Sequence, residues 1–161
     1  MKTLIAYMTS HGCAEKAARL IQHQLPGKPV LFNVENQDIP DLSGFDLIIV
    51  GGSIRMGAIQ KRIRKFCEKN ATFLLEKKIG LYICCMYEGE KAREQFLKNF
   101  PEPLVAHATA QGIFGGELDL DALNAFERMI IKEIIGITIN VSLFREEAVK
   151  SFCTVLEKES K

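Results

Sequence analysis

The sequence lacks the features that mark several common classes of protein. Its five cysteines, Cys13, Cys67, Cys84, Cys85 and Cys153, contain no CxxC spacing, and two of them are adjacent in a predicted buried strand. This arrangement argues against a disulfide framework and against a zinc site. We therefore expect no bound metal and a reducing, cytoplasmic location.

An excess of charge of either sign is also missing. The 21 Lys and Arg residues nearly balance the 20 Asp and Glu residues, for a formal net charge of +1, which gives no electrostatic case for binding DNA or RNA. The apolar start, MKTLIAY, is short and leads into polar residues instead of a cleavage site, so it predicts a first strand and not a secretory signal. No repeat, low-complexity tract or linker divides the chain, and its length predicts a single domain over 1–161.

The beginning of the chain predicts a strand, a polar turn and a helix. The apolar run Leu4–Met8 is followed by Thr9–Cys13, after which apolar residues recur at helical spacing. Such a turn gathers unpaired backbone N–H groups at the positive end of a helix and adds two hydroxyl groups, so it suits a phosphate. Taken alone, the turn equally fits a simple helix cap. Its position after the first strand, where an open α/β sheet places a ligand-binding loop, favours the phosphate.

Three further apolar runs predict strands in the first half of the chain, at 29–34, 45–52 and 78–85. The second of these is unbroken, as is typical of a central parallel strand that is covered on both faces. Helices are predicted between and after these strands. Their buried residues are expected to be Ala14, Ala17, Ala18, Ile21 and Leu25 in the first, Ile59, Ile63, Phe66 and Cys67 in the second, and Ala92, Phe96, Leu97 and Phe100 in the third.

The second half is less regular. Residues 104–106 and 111–116 are interpreted as one interrupted edge strand or two short pieces. A helix is expected over 121–135, with apolar Leu123, Phe126, Met129, Ile130, Ile134 and Ile135, whereas no element is assigned to 136–144. A last helix opens at Arg145–Glu147 and buries Ala148, Val149, Phe152, Cys153 and Leu156.

Strands that alternate with helices predict an α/β fold, in which a parallel sheet has helices on both faces. In such a sheet the functional loops lie at the carboxyl ends of the strands, here Thr9–Cys13, Ser53–Ala58 and Met86–Glu90. The first suits a phosphate, the second has glycines that let backbone approach a flat ligand, and the third carries an aromatic residue, Tyr87, that could stack on it. Together they predict a mononucleotide of the flavin kind.

Four motifs carry a resemblance to a known family: MKTLIAYMTSHG, GGSIRMG, FCEKNA and FERMIIKEII. The whole chain resembles the flavodoxin superfamily and, within it, the menaquinone-dependent protoporphyrinogen oxidases. GGSIRMG is the most specific match, because an Arg and a Gly at that spacing are unusual in ordinary flavodoxins. The resemblance implies FMN as cofactor and a flavodoxin-like, three-layer fold with an open five-stranded parallel sheet in the order 2-1-3-4-5.

The resemblance also implies the residues of the site. Thr9, Ser10, Gly12 and Cys13 correspond to phosphate-loop positions, and Ser53, Ile54, Arg55, Met56 and Gly57 correspond to the loop beside the isoalloxazine ring. The position of the loops, and not the resemblance, adds His11 and Ala14 to the first loop and Met86, Tyr87, Glu88 and Gly89 as the third. Two departures from the family are visible. Ala14 stands where the family has a Thr, and the short stretch 86–91 replaces a long, partly basic insertion of the oxidases that act on protoporphyrinogen.

The first hypothesis for the function is an FMN oxidoreductase that passes electrons from a reduced substrate to a quinone-like acceptor. Arg55 is then the expected catalytic residue, through the electrostatics of flavin or substrate, unless it is a solvated loop cation. His11 could transfer protons near neutral pH or only contact phosphate and solvent.

Two alternatives remain open. One is a flavodoxin-type electron carrier between redox proteins, although such carriers are usually strongly acidic. The other is a flavodoxin-like binding module that has lost FMN, for which Ala14 is the support. The partner is thus a small-molecule or quinone-like acceptor or a redox protein, and a homodimer is left open. The apolar stretch 129–144 is interpreted as a core helix with an edge segment or, at most, as a peripheral membrane contact, because charged residues interrupt it.

Overall fold

The computed structural model describes residues 1–9, 12–35, 38–118, 120–134, 136 and 140–159. Its strands are β1 (Thr3–Tyr7), β2 (Val30–Asn33), β3 (Leu47–Arg55), β4 (Ala58–Ile59), β5 (Lys78–Cys84), β6 (Ala110–Ile113), β7 (Glu117–Leu118) and β8 (Val141–Ser142). Its helices are α1 (Cys13–Gln24), α2 (Lys61–Lys69), α3 (Ala71–Leu75), α4 (Gly89–Asn99), α5 (Glu102–His107), α6 (Ala125–Ile134) and α7 (Glu146–Lys158), with 3-10 turns at Leu42–Gly44 and Leu120–Ala122.

The main sheet has five parallel strands in the order β2-β1-β3-β5-β6. Numbered among themselves, these strands follow the predicted order 2-1-3-4-5, so the predicted fold is confirmed. The sheet lies between two layers of helices, because β3 and β5 are apolar on both faces. Their paired residues Ile48 and Ile79, for example, are completely buried.

Each face of the sheet carries its own apolar core. On one face, Ile5, Leu47 and Ile49 pack with buried residues of α1 and α7. On the other face, Ile48 and Val50 pack with buried residues of α2, α3, α4 and α5. The predicted buried residues of α1 are confirmed, as are Val149, Phe152, Cys153 and Leu156 of α7, while Ala148 is half-buried.

The second loop differs from its prediction. The strand predicted to end at Gly52 continues to Arg55, turns at Met56 and Gly57, and returns as β4, antiparallel to the end of β3. Met56 and Gly57 have φ of +52° and +80°. This left-handed conformation at both central residues turns a strand back sharply, and a glycine such as Gly57 adopts it at no steric cost. Ile59 is buried as predicted, but in β4 and not in a helix.

Two predictions in the following region are wrong. Residues 104–106 lie in helix α5, where Pro103 occupies the first turn; this position suits proline because its N–H would have no intrahelical partner. Leu97 of α4 is 48% exposed instead of buried. It neighbours the buried Phe96 along the helix and is therefore rotated away from the inner face.

The predicted helix over 121–135 is present as α6, but it is not a core helix. None of its described side chains is buried, and Phe126, Met129 and Ile134 are 66%, 54% and 55% exposed. The physical reason is that other helices already cover both faces of the sheet. Of the apolar residues predicted for this helix whose burial the structure describes, Leu123, just before α6, is the one that is buried.

Helix α6 is held in an excursion from the sheet that we call the outer segment, the described residues of 117–142. Its base is the antiparallel pair β7 and β8, in which Glu117 pairs with Ser142. Ser10, His11, Ile135 and 137–139, for which predictions were made, lie outside the described residues. Within the described part of the chain, no helix has the length and apolar character needed to cross a membrane.

Candidate functional site

A cavity of about 120 Å³ lies at the carboxyl ends of β3 and β5, where the predicted loops meet. The sheet side of its wall comes from α1, the β3–β4 hairpin and the end of β5, and the opposite side from the outer segment. The lining residues are Cys13, Ser53, Ile54, Arg55, Met56, Cys84, Cys85, Met86, Gly116, Glu117, Leu123, Glu127, Ile130 and Ile131.

The first loop forms a tight turn before α1. The Gly12 N–H donates to the Thr9 hydroxyl oxygen at 2.7 Å, and Gly12 has a φ of +90°. Thr9 therefore shapes the loop in the manner of a cap, while Gly12 offers no side chain to cover the start of the helix. Cys13 is the first residue of α1 and the only predicted first-loop residue, among those described, that lines the cavity.

Ala14, predicted as part of the phosphate loop, faces the protein interior. It is completely buried, and its carbonyl oxygen accepts a hydrogen bond from the Tyr82 hydroxyl at 2.9 Å. This bond ties the start of α1 to β5 beneath the cavity. The Ala14 side chain is thus shielded from solvent.

Two polar residues that the sequence analysis missed hold the loops together. The Gln60 side chain accepts from the Ser53 N–H at 3.0 Å and donates to the Met8 carbonyl at 3.2 Å, so it joins the first two loops. The buried Asn99 accepts from the Ile59 N–H at 2.9 Å and donates to the Gly57 carbonyl at 3.0 Å, which fixes the hairpin. The sequence signal that could have identified Asn99 is its position on the buried face of α4, because a buried amide must find hydrogen-bond partners.

The hairpin presents Ser53 and Arg55 to the cavity. The Ser53 hydroxyl oxygen is buried and has no hydrogen-bond partner among the described residues, so it remains available to a polar ligand. Arg55 forms an ion pair with Glu127 of α6, in which the two side chains are 47% and 23% exposed. Arg55 is thus not simply a solvated loop cation, because a carboxylate of the outer segment faces it.

The third loop contributes to two adjacent cavities. Met86 lines both, whereas Tyr87 lines only the second, an apolar space of about 280 Å³ that also includes Met56, Gly57 and Ile134. Two predicted third-loop residues, Glu88 and Gly89, form the start of α4 and line neither cavity. The structure therefore brings Arg55 to the first cavity and Tyr87 to its neighbour.

Ionisable groups surround Cys13 at the floor of the first cavity. A hydrogen bond from the Cys84 thiol lowers the pKa of Cys13, and that same bond, with burial, raises the pKa of Cys84. Lys16 pairs with Glu117 at 2.5 Å, and this contact raises the pKa of Lys16. No group of three or more possible metal ligands is present among the described residues, and all five cysteines are free thiols.

Comparison with known proteins agrees with the geometry. A family model described as "Flavodoxin domain" matches residues 4–142. No curated protein matches the sequence. Solved structures do match, among them the two-electron reduced flavodoxin of Megasphaera elsdenii, with 18% identity, a TM-score of 0.55, and coverage of 74% of this chain and 90% of that one.

Two further structures extend this similarity. A short-chain flavodoxin associated with a non-canonical PDU bacterial microcompartment has 16% identity, a TM-score of 0.58 and full coverage of both chains. A flavoprotein in complex with FMN from Lactobacillus acidophilus has 16% identity and a TM-score of 0.50, over 71% of this chain and 91% of that one. At these identities the likeness concerns the fold.

Proposed function

Because the chain belongs to the flavodoxin domain family, whose model matches residues 4–142, we propose that it binds FMN at the carboxyl ends of β1, β3 and β5 and transfers electrons through it. The observation that carries this proposal is the cavity formed where the first, second and third loops meet. This is the place at which an open parallel sheet binds its ligand.

The residues present fit FMN. The turn before α1 offers backbone N–H groups at a helix start for the phosphate, and Gly12 leaves that start uncovered. The buried, unpartnered Ser53 hydroxyl and the backbone of the hairpin are available to the polar edge of the ring. When bound, FMN supplies the redox chemistry, and the protein supplies binding, orientation and electrostatics.

The first cavity alone is small for a flavin. At about 120 Å³, it is smaller than the roughly 300–1,000 Å³ of small-molecule sites, but the second cavity of about 280 Å³ adjoins it and shares Ile54, Met56 and Met86 in its lining. The sheet side is fixed by Gln60 and Asn99, whereas α6 buries no described side chain. Helix α6 is therefore the side of the site that yields to a ligand.

For the electron acceptor, we propose a quinone-like molecule. The support is the resemblance of GGSIRMG and FERMIIKEII to quinone-linked oxidases and the apolar second cavity beside Tyr87. The short stretch 86–91 leaves little protein to cover a tetrapyrrole, so protoporphyrinogen is expected to be a poor substrate. Arg55 contributes electrostatics at the site, and the five free thiols support a reducing, cytoplasmic location.

Titration of the apoprotein with FMN and with riboflavin tests the cofactor proposal. Joint replacement of Thr9 and Ser10 by Ala removes hydrogen bonds to a charged group, each on the order of 1.5–3 kcal/mol, and should weaken FMN binding about tenfold or more. The matched control is Ser151→Ala with Thr154→Ala, whose hydroxyls bond only to carbonyls of their own helix. Equal affinity for FMN and riboflavin, or equal effects of the two double variants, would contradict phosphate binding by this loop.

Stopped-flow oxidation of the reduced, FMN-loaded protein by a soluble menaquinone analogue tests the acceptor. Fast flavin oxidation together with slow turnover of protoporphyrinogen is the expected result. The absence of reaction with any quinone would instead favour an electron carrier between redox proteins. Efficient porphyrin turnover would show that the short third loop is sufficient for that substrate.

A further inference from the structure

The thiols of this protein are concentrated at one end of the sheet. Cys13, Cys84 and Cys85 all line the first cavity, whereas Cys67 and Cys153 lie in the buried faces of α2 and α7. Burial raises the pKa of each of those two helix thiols to about 12. The chain therefore has three thiols at a cavity and two inert ones in its cores.

The strand register places Cys84, and not Cys85, opposite Cys13. Tyr82 and Cys84 are two residues apart in β5 and so point to the same face. The Tyr82 hydroxyl bonds to the Ala14 carbonyl at 2.9 Å, which brings that face against the start of α1. Cys13 and Cys84 accordingly belong to one apolar core and Cys85 to the other, and Cys85 donates to the Tyr87 carbonyl at 3.4 Å.

The surroundings give the two opposed thiols different roles. Cys13 stands at the positive end of α1 and lines the same cavity as Cys84. Hydrogen bonding by the Cys84 thiol, and then by the Glu117 backbone, lowers the pKa of the Cys13 thiol, and a helix start favours the thiolate as well. Lys16 adds an attractive charge, while the Glu117 carboxylate and burial oppose ionisation. Cys13 is therefore the thiol that ionises first, and Cys84 retains its proton.

We propose that Cys13 and Cys84 form a redox-active dithiol, which hydrogen peroxide converts into an intramolecular disulfide between α1 and β5. The Cys13 thiolate attacks one peroxide oxygen, the O–O bond breaks, and the departing hydroxide takes up the proton that Cys13 released on ionising, so that Cys13 becomes a sulfenic acid and one water forms. The Cys84 sulfur then attacks the Cys13 sulfur, and its proton departs with the displaced hydroxyl group as water. Two electrons pass from the two sulfurs to peroxide, and two waters are produced in all.

The size of the cavity selects the oxidant. A water-sized molecule needs only about 10–15 Å³ of such space, so a cavity of about 120 Å³ admits hydrogen peroxide. Cys13 is almost completely buried, so while α6 stays in place a small oxidant reaches it through this cavity. The reaction uses two thiols of this protein and hydrogen peroxide and needs no flavin, so it goes beyond the proposed function and can be tested without FMN.

Peptide mapping after peroxide treatment tests the proposal. The reduced full-length protein, with and without added FMN, is treated with stoichiometric hydrogen peroxide, alkylated, and digested without reductant. We expect a linked peptide pair that contains Cys13 and the Cys84–Cys85 stretch, with the loss of two hydrogen atoms and no dimer of chains. Because Cys84 and Cys85 share a peptide, Cys85→Ser is the matched control, and this variant should form the disulfide at an unchanged rate.

Two further variants separate attack from resolution. Cys84→Ser should leave a Cys13 sulfenic acid that dimedone traps, and Cys13→Ser should abolish the linked peptide and slow oxidation, because it removes the thiol that ionises first. If either variant fails to fold, limiting iodoacetamide on the unmodified protein gives the same information, with Cys13 alkylated first. A disulfide between Cys84 and Cys85, equal oxidation at Cys67, or no linked peptide would overturn the proposal.

Discussion

Helices α6 and α7 have similar apolar spacing in the sequence and opposite fates in the structure. In α7, Val149, Phe152 and Leu156 are buried against β6 and α1. In α6, Phe126, Met129 and Ile134 are mostly exposed. An apolar period of about 3.6 residues therefore predicted a helix correctly in both cases, whereas the burial that it predicted is present only in α7.

The same contrast divides the candidate site. Its sheet side is held by buried side chains that bond to backbone, namely Gln60, Asn99 and Tyr82. Its outer side is held by the Arg55–Glu127 ion pair and by Leu123. Because regions with few buried contacts open at low free energy, we infer that ligands enter on the side of α6.

Truncation of one aromatic residue in each helix should show the largest difference. The Phe152 ring lies 5.4 Å from that of Phe114 and 6.4 Å from that of Tyr82, so Phe152→Ala should cost about 3–5 kcal/mol of unfolding free energy. Phe126→Ala should change it by no more than about 0.5 kcal/mol. Urea unfolding of both variants measures this. Similar losses would mean that α6 is packed as firmly as α7.

A smaller effect is expected where the outer segment leaves the sheet. Gly115 has a φ of +74°, and a methyl group there would overlap the carbonyl oxygen of Leu143. Gly115→Ala should cost about 3 kcal/mol, since the left-handed conformation alone costs roughly 1–2 kcal/mol. Gly136→Ala, also at positive φ but with no described atom within 4 Å of the added carbon, is the control and should show only the conformational cost. Equal losses of unfolding free energy in the two variants would indicate that Leu143 moves aside without measurable cost.

Removal of the Asn99 amide should loosen the hairpin on the sheet side. Asn99→Ala leaves the Ile59 N–H and the Gly57 carbonyl without this partner, at about 2 kcal/mol in unfolding free energy. Asn70→Ala is the control, since its side chain bonds to the Phe66 carbonyl of its own helix. Hydrogen exchange should rise at β4 in the first variant and not in the second. An unchanged hairpin would show that other contacts fix it.

The smallest effect is expected for the ion pair on the outer side. Glu127→Gln should cost less than about 1 kcal/mol, because partly exposed ion pairs contribute little, and Arg55→Gln should match it. Exchange of α6 amides, followed by mass spectrometry, should nevertheless become faster in both variants, while β5 stays protected. A loss as large as that for Asn99→Ala would refute the view of α6 as the movable side.

Much of the fold was predictable because the relevant signals are local. The unbroken run Leu47–Val50 indicated a central strand, and Ala14, Ala17 and Ala18 indicated the buried face of the first helix. Residues 104–106 were predicted wrongly because short apolar stretches fit strand and helix alike, and Leu97 was predicted wrongly because it is rotated away from the inner face of α4. The site loops followed from topology, although the β3–β4 hairpin did not.

The sequence by itself determined the parallel sheet, its strand order through family resemblance, and the end of the sheet at which the loops meet. These depend on runs and turns within a few residues of each other. Only the tertiary structure decided that Gln60 and Asn99 brace the hairpin, that Cys84 faces Cys13, and that α6 lies outside the core. These three features depend on which distant residues meet once the helices have covered the sheet. No local pattern shows that one apolar helix face will have no uncovered part of the sheet left to pack against.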